Sequence, residues 1–205
     1  MADSSVIVLE NNCKIIVVAC NTATTNAIKE LRAKYDIPFI GIEPAIKPAA
    51  LQSKTHTIGI LATKGTLNSE LFHKNVENHP EVKIIEQIGH GLVQLIENGA
   101  INSPEMVELL KSYLTPMIEK NIDYLVLGCS HYPYLIPQIQ KIIPSHIKII
   151  DSGEAVAKQT QKILEQHNLL NLSTEKSSQI FYTNSEPEVL ETILNHKEEV
   201  IYKNF

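Results

Sequence analysis

Two stretches of the chain share one pattern: Ile15-Ile-Val-Val-Ala-Cys-Asn-Thr22 and Tyr124-Leu-Val-Leu-Gly-Cys-Ser-His131. In each, a short apolar run leads to a small residue, a cysteine and two polar residues that can open a helix. The cysteines, Cys20 and Cys129, are 109 positions apart, which excludes a short solenoid repeat. The pattern predicts two α/β lobes, each with a cysteine at the carboxyl end of a strand, where open α/β sheets bind their ligands.

The rest of the chain alternates short apolar runs with longer amphipathic stretches, which predicts parallel sheets covered by helices. The predicted strands are Lys14–Ala19, Pro38–Ile42, Thr57–Leu61, Val82–Ile85, Tyr124–Leu127, Ile147–Ile150 and Gln179–Tyr182. The predicted helices are Thr22–Lys34, Leu67–Asn78, Pro104–Lys120, Asp151–His167 and Glu186–Asn195. We therefore predict the α/β class with two pseudo-symmetric lobes. Residues 1–44 and 155–205 form the first lobe and residues 45–154 the second, with Pro44–Pro48 and Asp151–Gly153 as candidate crossings.

Composition narrows the class of protein. The 205 residues are 43% hydrophobic and 20% charged, which is typical of a globular protein with a core. A net charge of −5 without a Lys/Arg cluster argues against a nucleic-acid partner. No apolar run reaches the roughly 18 residues of a membrane span, and the first residues do not resemble a signal peptide. The 3 cysteines include no C-x-x-C motif. We expect a soluble, reduced, cytoplasmic protein with no membrane partner.

The position of the two cysteines suggests acid/base chemistry. A cysteine at a strand-to-helix junction lies among unpaired backbone N–H groups at the positive end of the helix dipole. That environment lowers a thiol pKa from about 8.5 toward neutrality, which suits a general acid or base. Two such thiols across a cleft can remove a proton from one face of a carbon and deliver a proton to the other, with no cofactor.

Other interpretations of the cysteines remain open. Both can be small core residues. A zinc site made from Cys20, Cys129 and His131 is also conceivable, although the usual paired-ligand spacing is missing. Cys13 precedes its strand and has no polar residues after it, so we interpret it as structural.

Polar residues near the cysteines also have two interpretations each. Asn21 and Thr22 either cap the next helix or hold a substrate carboxylate together with its N–H groups. Ala62–Thr66 follows a strand and is either a plain turn or a second carboxylate cradle with two hydroxyls. His131, two residues after Cys129, can donate a hydrogen bond, assist proton transfer or cap its helix.

A family resemblance covers these same segments. Val17-Val-Ala-Cys-Asn-Thr-Ala-Thr24 and Leu127-Gly-Cys-Ser-His-Tyr-Pro133 resemble the two signature segments of cofactor-independent glutamate racemases, in the aspartate/glutamate racemase superfamily. Further segments follow in the family's order: Ile37–Ala45, Ala62–Thr66, Leu95–Gly99 and Asp151–Ala157. The resemblance implies an active site between two α/β lobes and interconversion of L- and D-glutamate, which supplies D-glutamate to peptidoglycan.

The resemblance also implies residue roles. Cys20 and Cys129 match the acid/base pair: the thiol at Cys20 takes the proton from D-glutamate, and the thiol at Cys129 takes it from L-glutamate. His131 matches the residue that assists the second cysteine, and Glu97 matches a carboxylate near it. The positions that match substrate contacts are Asn21, Thr22, Thr63, Thr66 and Ser130, the last of which is often Thr in the family. The family uses neither a metal nor a cofactor, and its members commonly form homodimers.

The chain departs from the family at its start. Family members open with an Asp-Ser-Gly-x-Gly-Gly loop and a second unit bearing Pro-Tyr-Gly, and neither precedes Cys13. We expect an incomplete first lobe that lacks two β–α units, roughly 60 residues, and hence a poor or inactive racemase. Two alternatives are a racemase or isomerase of aspartate, hydantoins or another small acid, and a non-enzymatic remnant that binds a partner protein through an exposed sheet.

Overall fold

The computed structural model describes residues 11–175 and 177–204. The strands are β1 (Ile16–Val18), β2 (Phe39–Gly41), β3 (Thr57–Ala62), β4 (Lys83–Ile88), β5 (Tyr124–Gly128), β6 (Lys148–Ile150), β7 (Phe181–Thr183) and β8 (Val200–Tyr202). The α-helices are α1 (Asn21–Lys34), α2 (Ile46–Gln52), α3 (Lys64–Leu67), α4 (Glu70–Glu77), α5 (Leu92–Glu97), α6 (Pro104–Ile118), α7 (Ile136–Ile139), α8 (Gly153–Gln166) and α9 (Pro187–Ile193). A 3-10 helix covers Tyr132–Leu135. All strand pairs within the described ranges of the chain are parallel, and the predicted α/β class is confirmed.

The largest sheet has the strand order β4-β3-β5-β6. The inner strands of this sheet, β3 and β5, have continuous apolar sequences because they are covered on both faces. Every residue of β5 and all but the first of β3 are buried. Leu61 and Leu125 face α5 and α6 on one side of the sheet, whereas Ile60 and Val126 face α2 and α4 on the other. This alternation along each strand gives the sheet a hydrophobic core on both faces.

The carboxyl ends of β3 and β5 meet at one edge of this sheet. Ala62 pairs with Gly128, so the residues that follow, Thr63 and Cys129, leave neighbouring strands at the same level. Gly128 has to be small here, because a Cβ at this position would lie 2.7 Å from the Cβ of Ala62. The small residue before the cysteine therefore lets the two strand ends approach each other.

A second sheet pairs β1 with β2 and is tied to α1. Ile28 of α1 packs with Ile16 and Phe39. The buried Thr24 hydroxyl donates to the Val18 carbonyl and accepts from the Ile42 amide, both at 3.0 Å. Helix α1 is thereby fixed to the ends of both strands. A third sheet pairs β7 with β8.

Several predicted elements need correction. The predicted helix Leu67–Asn78 is wrong as a single element, because the Ser69 hydroxyl accepts from the Phe72 amide and starts a new helix, α4. The short helices α2 and α5 and the strand β8 were not predicted. Pro44–Pro48 runs into α2, with Pro48 in its first turn, and its role as a crossing between lobes stays a prediction.

Within residues 11–175 and 177–204, no helix combines the length and hydropathy needed to span a bilayer.

The sheet β1–β2, which belongs to the predicted first lobe, has two strands, and Val17 on it is exposed. The division into lobes 1–44 with 155–205 and 45–154 stays a prediction.

Candidate active site

Cys20 lies between β1 and α1, in the N-cap position of the helix. Its backbone is extended, its carbonyl accepts a hydrogen bond from the Thr24 amide at 2.8 Å, and it precedes the first residue of the helix. The residue is exposed to solvent. The thiol therefore stands at the N-terminus of a 14-residue helix, as the sequence pattern predicts.

Cys129 occupies the corresponding place after β5, but its surroundings differ. The residue is only 8% exposed, and burial raises the pKa of its thiol. The charges of Cys20 and Glu97 raise this pKa further, while hydrogen bonds from the backbone amides of His131 and Tyr132 lower it. For Cys129 the expected lowering of the pKa is wrong: the N–H groups are present, but desolvation outweighs them.

A chain of contacts leads from Cys129 to solvent. The Cys129 Sγ lies 3.9 Å from the Nδ1 of His131, and the Nε2 of His131 lies 3.1 Å from the Oε1 of Glu97. Both the imidazole and the carboxylate are partly exposed. His131 makes no capping hydrogen bond to the 3-10 helix that it precedes, so its ring is committed to the thiol and the carboxylate.

Three threonine hydroxyls connect α1, which follows Cys20, with the loop that follows β3. Thr22 Oγ1 of α1 lies 2.7 Å from Thr63 Oγ1 and 3.1 Å from Thr66 Oγ1, and the latter two are 3.0 Å apart. The same approach makes Gly65 necessary, since a Cβ there would lie 2.6 Å from the Cγ2 of Thr22. The loop Ala62–Thr66 is thus more than a plain turn, because it contacts the helix that follows Cys20.

Asn21 is the least satisfied polar group of the site. Its side chain is 2% exposed, and its Nδ2 has no hydrogen-bond partner. Neither Asn21 nor Thr22 caps α1, so their interpretation as simple caps is wrong. A buried donor without an acceptor is costly, because it has lost its hydrogen bonds to water.

The last of the predicted site residues, Ser130, lies at the edge of the sheet where β3 and β5 end. Ser130 lies half-buried in the turn between Cys129 and His131. Two supporting residues were not predicted: Thr24, which holds α1, and Tyr132, whose buried hydroxyl donates to the Gly89 carbonyl at 3.1 Å. Both lie inside the two quoted motifs, but their partners are distant in sequence, so periodicity gives no signal for them. In the described part of the chain, no group of three His, Cys, Asp or Glu residues could hold a metal ion.

Comparison with known proteins gives consistent matches. The family model described as Asp/Glu/Hydantoin racemase matches residues 5–160. A glutamate racemase of Ralstonia pickettii is 45% identical over 157 residues, which are 76% of this chain and 56% of the relative. The chain therefore spans little more than half the length of that relative.

Two solved structures extend the likeness to the fold. A glutamate racemase isoform of Bacillus anthracis superposes with a TM-score of 0.85 at 27% identity, covering 98% of this chain and 77% of the other. Escherichia coli glutamate racemase, in complex with L-glutamate and the activator UDP-MurNAc-Ala, gives 0.82 at 30% identity over 98% and 78%. The family model covers most of the chain, and the relative and the solved structures described above share its sequence pattern and its fold. The chain therefore belongs to the Asp/Glu/hydantoin racemase family.

Proposed function

We propose that this chain interconverts L- and D-glutamate by a two-thiol acid/base mechanism that needs no cofactor. The observation that carries the proposal is geometric: the Oγ1 of Thr22, two residues after Cys20, lies 2.7 Å from the Oγ1 of Thr63, which follows β3 beside the strand that leads to Cys129. This contact joins strand ends from two different sheets, each followed by a cysteine, and two thiols at one site can act on one stereocentre.

The proposed reaction moves one proton on each face of the α carbon. With D-glutamate, the Cys20 thiolate takes the α proton, and the electron pair of the broken C–H bond is delocalised into the α-carboxylate. The Cys129 thiol then gives its proton to the opposite face, which yields L-glutamate and leaves a thiolate on Cys129. A raised pKa keeps Cys129 protonated before this step, as a proton donor requires. With L-glutamate the two thiols exchange roles.

Proton exchange at Cys129 is proposed to involve His131 and Glu97. The imidazole contacts the thiol at 3.9 Å and the carboxylate at 3.1 Å, and both groups reach solvent. This contact chain gives Cys129 a route by which its protonation state returns after each turnover.

Substrate binding is proposed for the polar residues at the two strand ends. The unpartnered Nδ2 of Asn21 is a donor for a carboxylate oxygen, and the hydroxyls of Thr22, Thr63 and Thr66 can reorient to donate further hydrogen bonds. Ser130 offers another hydroxyl beside Cys129. The alternatives, another small-acid racemase and a binding module, are not favoured, because the relatives described above are glutamate racemases.

The wider biological role belongs to the same proposal. We place the enzyme in the cytoplasm, where it supplies D-glutamate to peptidoglycan synthesis, and we propose that it forms a homodimer. Restored growth of a bacterial strain that requires D-glutamate tests the role, and light scattering of the purified protein tests the dimer.

Racemisation itself is tested by circular dichroism of solutions of L- and D-glutamate. The wild-type protein is expected to change the signal of both enantiomers at the low rate that the sequence predicts, and Cys20→Ser and Cys129→Ser should each slow this change by about 100-fold or more, because each removes an acid/base group. The matched control is Cys13→Ser, which removes a half-buried thiol outside the site and should leave the rate unchanged. A wild-type protein without turnover, or serine variants as fast as wild type, would contradict the proposal.

A further inference from the structure

Two tyrosine hydroxyls hold the turn that connects β4 to α5. Tyr132 donates to the carbonyl of Gly89 at 3.1 Å, and Tyr113 of α6 donates to the carbonyl of His90 at 2.9 Å. The Gly89 amide in turn donates to the carbonyl of Ala62 at the end of β3. Three consecutive contacts therefore fix a short turn that carries no residue of the proposed site.

The contact between Tyr132 and Gly89 is unusually tight. Tyr132 is fully buried, and a Cβ at Gly89 would lie 2.4 Å from its hydroxyl oxygen and 2.9 Å from its ring. The tyrosine thus fits against this turn only because residue 89 has no side chain. Burial also raises the pKa of Tyr132, so its hydroxyl stays protonated and remains a donor.

The turn leads directly into the helix that carries Glu97. Gly91 has a φ of +79°, which a residue with a side chain rarely adopts, and it precedes the first residue of α5. Leu92 and Ile96 anchor α5 in the core. Because the helix has 6 residues, its two ends are only about 9 Å apart. The Gly89 turn and Glu97 therefore lie close to opposite ends of one short helix.

Two adjacent residues of the turn after β5, His131 and Tyr132, contact the two ends of the segment from Gly89 to Glu97. Tyr132 contacts Gly89 before the start of α5, and His131 contacts Glu97 at its end. We propose that the Tyr132 hydroxyl is a positioning group: by fixing the turn before α5, it sets the distance between Glu97 and the His131 imidazole that contacts the Cys129 thiol.

This inference rests on the proposed function for its purpose, but it concerns a measurable property of one thiol. The groups that act on the Cys129 thiol are Cys20, Glu97, His131 and the backbone amide of Tyr132. Glu97 is the member of this set whose position depends on α5. A shift of α5 should therefore alter the thiol in the same way as removal of the Glu97 charge.

The test measures the rate of alkylation of Cys129 by iodoacetamide as a function of pH, resolved by peptide mass spectrometry. Glu97→Gln removes a negative charge that raises the pKa of the Cys129 thiol, so the midpoint of the Cys129 profile should shift to lower pH. Tyr132→Phe should shift the midpoint in the same direction. The double variant should shift it by less than the sum, since both changes act on one contact. Tyr134→Phe, an exposed tyrosine of the same 3-10 helix, is the matched control and should leave the profile unchanged.

Three outcomes overturn the inference: no shift in Glu97→Gln, no shift in a folded Tyr132→Phe, or additive shifts in the double variant. If Tyr132→Phe does not fold, Gly89→Ala replaces it, since the new methyl group displaces the same hydroxyl, and the same shift is expected. Alkylation requires no turnover. A protein that fails to racemise glutamate would therefore contradict the proposed function and leave this test decisive for Tyr132.

Discussion

Cys20 and Cys129 have matching sequence contexts but unlike surroundings. Cys20 is exposed, whereas Cys129 is buried, and this burial raises the pKa of the Cys129 thiol. The sequence predicts the strand-to-helix position of both thiols, because a short apolar run followed by polar residues is a local signal. It does not predict the burial of Cys129, which depends on helices contributed by distant segments.

The raised pKa of Cys129 makes stability depend on pH. In the pH range between the unfolded and folded pKa values, the folded protein holds more protons than the unfolded chain, so the free energy of unfolding falls as the pH rises. This contribution to stability is fully present at a pH below the unfolded pKa and is lost as the pH rises through the folded pKa. Tyr113 and Tyr132, whose pKa values are also raised, add the same trend at higher pH.

We therefore expect the urea concentration at the midpoint of unfolding to decrease as the pH rises above about 8.5, the ordinary pKa of a thiol. Cys129→Ala should flatten the lower part of this decline, because the titrating group is removed. Urea titrations monitored by circular dichroism at several pH values measure the effect. An identical slope in wild type and Cys129→Ala would contradict the burial of this thiol.

The site also contains contacts that sequence reasoning reached only in part. Asn21, Thr22, Thr63 and Thr66 were predicted from the family resemblance, and all four lie at the neighbouring strand ends. The hydrogen bonds that join Thr22 to the other two threonines cross more than 40 positions of sequence. Such contacts depend on how the sheets pack, which no local pattern encodes.

At the level of single elements, Thr24 determines how α1 is attached to its sheet. The residue is 1% exposed, and its hydroxyl serves both the Val18 carbonyl and the Ile42 amide. Thr24→Val keeps the shape and removes the hydroxyl, which leaves two backbone groups without this partner. We expect a loss of about 2–3 kcal/mol in the free energy of unfolding, measured by urea denaturation.

Thr25→Val provides the matched control for this prediction. Thr25 is the next residue of α1, is only half-buried, and donates to the carbonyl of Thr22 in its own helix. Its replacement should change the free energy of unfolding by less than about 0.5 kcal/mol. Equal losses in the two variants would show that the link between α1 and the ends of β1 and β2 contributes no stability of its own.

The elements that sequence reasoning found and missed differ in length and in burial. The strands β3 and β5 and the helix α6 have long apolar patterns and were predicted within a few residues. Helices α2 and α5 have 7 and 6 residues, fewer than periodicity needs to be recognised. The split between α3 and α4 depends on the single hydroxyl of Ser69, whose capping role competes with a continuous amphipathic pattern.

Across the molecule, the three sheets formed by the described residues differ greatly in how well they are buried. The sheet containing β3 and β5 carries a hydrophobic core on each face, whereas Val200 is the one buried residue among those of β7 and β8. Local opening is easier where few apolar contacts are lost. The sequence anticipated the central strands from their apolar runs, but β8, with two exposed residues, has no such signal.

We expect amide hydrogen exchange to follow this difference. Peptides that contain β5 should exchange about 100-fold more slowly than peptides that contain β7 and β8, because the central amides open only when the whole core unfolds. Hydrogen–deuterium exchange with mass spectrometry provides the measurement. Equal protection of the two regions would contradict a stable core centred on β3 and β5.

The placement of two thiols on separate sheets is a property of the whole molecule, and deuterium incorporation from D2O tests it most directly. During early turnover of L-glutamate, the account predicts deuterium at the α carbon of the D-glutamate formed, while the remaining L-glutamate keeps its original hydrogen. That pattern arises because one thiol removes the proton and the other, equilibrated with solvent, supplies a deuteron from the opposite side. Equal early deuteration of remaining substrate and product, or none in either, would contradict the two-thiol account.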